Sequence, residues 1–109
     1  MGNELIISGS DTLLPVQIRT AGDRTARRFV EFFTANIRNR NTRASYARAV
    51  GDFFYWCDRI GLDRLEAVEP VHVAGYVEQL GTIRSAPTVK QHLAAVRMLF
   101  DWLVSVHKL

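Results

Sequence analysis

After residue 22, apolar side chains recur at steps of three and four residues in one segment after another, and no two-residue alternation competes with them. Such a period buries one face of an α-helix and leaves the other wet. It restricts the chain to helices packed on helices. The clearest stripe is Tyr46, Val50, Phe53, Cys57 and Ile60. Asn41 or Thr42 is expected to cap that helix, and Gly61 to stand just past its end. At about 100° per residue, Ala44, Ser45, Arg48, Gly51, Asp52 and Tyr55 fall on the opposite side. Small residues there allow close approach to the backbone, by another helix or by a phosphate chain.

The other segments carry similar punctuation. Asp23 is expected to cap a helix running to about Ile37, with Phe29, Val30, Phe33 and Ile37 on its apolar face, before "RNRN" interrupts. The connector "LDRLEAVEP" tucks Leu62 and Leu65 inward. Glu69-Pro70 opens a short third helix, since proline suits a first turn. Its inner face is Val73, Tyr76, Val77 and Leu80, and Gly81 ends it. Ser85 caps a fourth helix with Pro87 in its first turn and an end near His107. Val89, Leu93, Val96, Phe100 and Leu103 form its core stripe, and Lys90, Ala94, Arg97 and Asp101 share a flank outside it. Residues 1–22 contain Gly2, Gly9, Pro15 and Gly22 and hold no period. They are expected to form an extended or disordered arm, with the folded domain over 23–109. The fold class is all-α, a compact four-helix domain.

Apolar residues make up 48% of the 109, enough for one core without staples. Cys57 is the single cysteine, and one Cys with three scattered His has no zinc spacing. No apolar run approaches the roughly 18 residues of a membrane span, and the N-terminus lacks the basic start of a signal peptide. A cytoplasmic protein is expected. Charge is segregated along the chain. Residues 1–18 carry −2, residues 19–48 carry +6 with eight Arg, residues 49–81 carry −4, and residues 82–109 carry +3. Two basic segments thus bracket an acidic middle. Twelve of the fourteen cations are Arg, the side chain suited to bidentate phosphate contacts.

Catalytic patterns are missing. Cys57 falls on the core stripe, where a thiol is buried and inert. His72 lies on the outer side of the third helix, His92 flanks the core of the fourth, and His107 is near the end. Each reads as a satisfied or solvated histidine. Asp58, Asp63, Glu66 and Glu69 span a helix end and a loop and read as a solvated face. No Gly-rich phosphate loop or metal-ligand pattern occurs.

Three stretches in order, "NTRASYARAVGDFFYWCDRIGL", "LEAVEPVHVAGYVEQL" and "SAPTVKQHLAAVRMLFDWLV", carry a family likeness. The first opens Thr-x-x-Ser-Tyr and ends in an aromatic block and Gly. The last opens Ser-Ala-x-Thr-Val and continues Leu-x-x-Val-Arg-x-Leu-Phe-x-Trp-Leu. Together, over about residues 23 to 107, they resemble the N-terminal core-binding (SAM-like) domain of tyrosine recombinases, the phage-integrase and Xer-type site-specific recombinases.

The resemblance implies half of a C-shaped clamp around double-stranded DNA at a recombination site. It also implies self-association of the full-length protein on DNA, with no cofactor, no small-molecule substrate and no membrane. The starts of the second and fourth helices would lie against DNA. The matching positions are Thr42, Arg43, Ser45 and Arg48 on the second helix. On the fourth they are Thr88, Lys90 and Gln91, with Arg84 just before it and Arg97 further along. The family's Arg, Lys, His-x-x-Arg and nucleophilic Tyr belong to a following C-terminal domain. Here "HLAAVR" has the wrong spacing, and Tyr46, Tyr55 and Tyr76 fall within the predicted helices. No catalytic residue is therefore expected, and the chain reads as a non-catalytic recombinase fragment. The competing reading is a helical protein-interaction module without DNA affinity, docking through Ala44, Ala47 and Gly51 with Met98 and Trp102.

Overall fold

The computed structural model describes residues 14–107, and side chains as far as Ser105. Among these residues it has five helices and no strand. The helices are α1 (Val16–Arg19), α2 (Asp23–Glu31), α3 (Arg40–Arg59), α4 (Pro70–Leu80) and α5 (Ala86–His107). A π-helical turn, Phe32–Asn36, extends α2, and a 3-10 turn, Leu65–Ala67, precedes α4.

The four long helices stand where the periodicity expects them, with shifts at their ends. Gly22, not Asp23, is the N-cap of α2; its φ of 105° lies where glycine is favoured. Asp23 becomes the first helical residue, placing a carboxylate against the positive end of the helix. Helix α3 starts before Asn41, because Asn39 caps it: its side-chain oxygen accepts the Thr42 N–H at 3.0 Å. Gly61 has φ 90° just past α3, the left-handed stop expected of it. Glu69 and His72 cap α4 reciprocally, with His72 Nδ1 accepting the Glu69 N–H at 2.9 Å.

The core is aromatic and centred on α3, which packs most extensively against α5. Phe53, fully buried, meets Tyr76 of α4 edge-on at 5.3 Å and Phe100 of α5 at 6.4 Å. Phe29, Phe32 and Phe33 form a second cluster, joined through Phe54. Trp56 stacks on Phe53 and donates its indole N–H to Gln79 at 3.0 Å, tying α3 to α4. Small side chains at Ala47, Ala49 and Ala95 are all buried, which lets α3 and α5 approach closely.

Three expectations need correcting. Ile60, placed on the α3 stripe, is 50% exposed, because the chain leaves the helix at that residue. On α5 the buried line is His92, Ala95, Val96, Leu99 and Leu103, rotated from the expected one. Val89, Leu93 and Phe100 are only half-buried, and His92 lies in the core rather than beside it. Finally, residues 14–22 pack with the domain and do not form an arm. Leu14 and Ile18 join the core, and Gln17 donates its amide to the carbonyls of Phe54 and Leu62 at 3.0 and 2.7 Å. Residues 1–13 lie outside the described residues.

Candidate nucleic-acid interface

Two helix starts bear the candidate side chains. At the first, the π turn ends α2 with carbonyls that no helical N–H can reach. Arg43, one turn into α3, supplies the donors: Nε to Phe33 O at 2.7 Å and Nη2 to Ile37 O at 3.0 Å. It is a buckle between α2 and α3, half-buried, with only part of its guanidinium left to face outward. Thr42 is likewise half-buried, and its N–H belongs to the Asn39 cap. Beyond this junction, Asn41, Ser45, Arg48 and Asp52 follow one another at four- and three-residue steps along the wet side of α3. Arg48 and Asp52 are exposed and Ser45 is half-buried.

At the second start, the Ser85 carbonyl accepts the Val89 N–H at 3.0 Å and begins the ladder of α5. The Ser85 hydroxyl meets the Thr88 hydroxyl at 3.2 Å, so the expected side-chain cap is a hydroxyl pair. Arg84, Lys90 and Gln91 are exposed and Thr88 is half-buried. Beneath them Tyr76 and His92 share a hydrogen bond of 3.1 Å, Oη to Nδ1, inside the core. Burial pushes the Tyr76 hydroxyl up to about 12, with Asp52 adding to the rise and Arg84 opposing it. Burial lowers the pKa of His92, with Asp52 opposing the fall and Arg84 reinforcing it. Phe53, next to Asp52, packs on Tyr76 at 5.3 Å, so the middle of α3 and the second turn of α5 meet through this pair.

Arg48, one turn before Asp52, and Arg84, just before α5, lie on the two elements joined through that pair. Arg97 stands apart: three turns down α5, it lines a groove against α4 with Glu69, Glu78 and Asp101. Over residues 26–107 the chain matches the family described as phage integrase, N-terminal SAM-like domain. The chain belongs to this family. No curated protein and no solved structure gave a significant match. The integrase SAM-like domain is thus the N-terminal core-binding domain of tyrosine recombinases.

Two exposed cations beside the start of α3 are not among the residues that the sequence singles out. Arg38 and Arg40 flank the Asn39 cap. They sit in "RNRN", which reads as a break between helices and hides its value as a charged tip. The strip Ala44, Ala47, Gly51, Met98 and Trp102 is discontinuous: Ala47 is buried, and the Trp102 indole N–H donates to Arg28 O at 2.8 Å. Cys57 is fully buried and its thiol is pushed up to about 12, the state of an unreactive sulfur. No cluster of metal-ligating side chains occurs among the described residues, and none of the described helices is long and apolar enough to cross a membrane.

Proposed function

We propose that this integrase SAM-like domain grips double-stranded DNA through the outer side of α3, from its tip to Arg48, together with the start of α5. The observation that carries the proposal is that Phe53 of α3 packs edge-on against Tyr76 at 5.3 Å while Tyr76 shares its 3.1 Å hydrogen bond with His92 of α5. That packing supports reading the exposed line through Arg48 together with the exposed start of α5 as one surface. Asn39 takes the Thr42 N–H, so the N–H groups of Arg40 and Asn41 remain for phosphate, at the positive end of a long helix. At α5 the corresponding groups are those of Ala86 and Thr88, since Pro87 has none.

Arg38, Arg40, Arg48, Arg84 and Lys90 would neutralise phosphates, while Ser45, Thr42 and Thr88 hydroxyls add uncharged contacts. Gln91 is the exposed side chain best suited to a base edge. Arg43 would serve mainly by holding the α3 tip in place. Arg97 would stand at the periphery. Strand cleavage and rejoining would fall to a C-terminal catalytic domain bearing the Arg, Lys, His-x-x-Arg and Tyr set, with self-association on DNA. Anisotropy of a labelled duplex titrated with the protein at low salt tests the grip. Binding is expected, and its absence there would overturn the proposal.

A further inference from the structure

The protein carries a net charge of +3, yet one face is acidic. Helices α4 and α5 fold back on one another through the turn at residues 81–85, and a groove of about 620 Å³ runs between them. Val68, Val73, Val77, Leu93, Val96 and Phe100 line it. Its polar rim is Glu69, Glu78 and Asp101 against the single cation Arg97. DNA is repelled from such a rim, so the groove is not part of the grip described above.

We propose that this groove docks a basic amphipathic helix from a partner protein. An apolar trough between two helices takes an apolar stripe at i, i+4 and i+7, and three carboxylates select Lys or Arg on either side of it. Glu69 and Glu78 stand at opposite ends of α4, about 13 Å apart at 1.5 Å per residue, which suits two to three turns of helix. A small molecule fits the site less well, since such ligands are oriented by convergent buried polar groups. The buried polar atoms that lack a partner, among the described residues, are Gln17 Oε1 and Arg28 Nε, and neither lines this groove. The chain's own residues 1–13 carry Glu4 and Asp11 and no Lys or Arg, so the rim repels them too. A second copy offers basic residues on α2, but the aromatic residues of that helix are spent in its own core.

The test is a ¹⁵N spectrum of the chain titrated with a synthetic Leu/Lys amphipathic helix of about 15 residues, and with its Leu/Glu counterpart. Docking predicts that the Leu/Lys helix shifts Val73, Val77, Leu93 and Phe100. The double variant E78K/D101K, its fold checked by circular dichroism, should weaken that binding roughly tenfold and improve binding of the Leu/Glu helix. Both side chains are exposed and neither is assigned to the grip, and added lysines do not weaken attraction to phosphate, so duplex affinity separates this inference from DNA binding: it should not fall in the variant. Absence of shifts, shifts on another surface, or equal response to both peptides overturns the inference. So does movement of the same resonances on diluting the chain alone, which would make a second copy the occupant.

Discussion

Arg43 and Arg48 lie on the same helix and do different things. Arg43 closes the end of α2 with two hydrogen bonds to carbonyls, whereas Arg48 reaches into solvent with no ion pair among the described residues. Replacing Arg43 with Ala should therefore cost about 2 kcal/mol of stability, read from urea unfolding. Arg48→Ala should stay within about 0.5 kcal/mol of the parent. Arg48→Ala combined with Lys90→Ala should weaken duplex binding while circular dichroism holds steady, and unchanged binding would refute the site assignment. His92 makes a pH prediction. Its pKa is lowered by burial, so between the folded and unfolded values the unfolded chain binds more protons. Stability is then complete above the ordinary histidine value of about 6.5 and declines as pH falls below it. Urea midpoints measured from neutral to mildly acidic pH should drop, and His92→Gln should flatten that drop.

At the scale of elements, the helices were legible because their signals are local. Pro70 opens α4, Gly61 closes α3, and the Phe53–Cys57 spacing holds the central stripe. What the sequence hid depends on distant partners. The α5 stripe is rotated because Ala95 and His92 count as weakly apolar, yet they sit where α3 and Tyr76 come close. Three cap-forming residues flank Arg40, Asn39 before it and Asn41 and Thr42 after it, and only the fold chooses Asn39. Helix α1 is a single turn with no period to read; Gln17 anchors it on carbonyls 37 and 45 residues away. Gln17→Ala should cost about 2 kcal/mol, because it orphans the Leu62 carbonyl and opens space in the core. Two glycines should respond with opposite signs. Gly51 lies inside α3 with nothing near an added Cβ, so Gly51→Ala should stabilise by about 0.5–1 kcal/mol. Gly61 is equally open but has φ 90°, so Gly61→Ala should destabilise by about 1 kcal/mol. Thermal unfolding of the pair checks both.

On the scale of the whole molecule, the charge pattern acquires a geometry. The basic segments supply the tips of α3 and α5, and the acidic middle supplies much of the groove rim against α4. The candidate site was partly legible: helix starts rich in Arg and hydroxyls can be read from sequence. Which of those Arg residues stand free beside the helix starts cannot, because Arg43 is claimed by the α2 end and Arg97 lies on the groove rim. The central claim is that outward cations along the outer side of α3 and at the start of α5 hold a phosphate backbone. Titrating a labelled duplex at several salt concentrations tests it most directly. With about five phosphates neutralised, log K should fall against log salt with a slope near −4.5. A slope near zero, or no binding at the lowest salt, would contradict it.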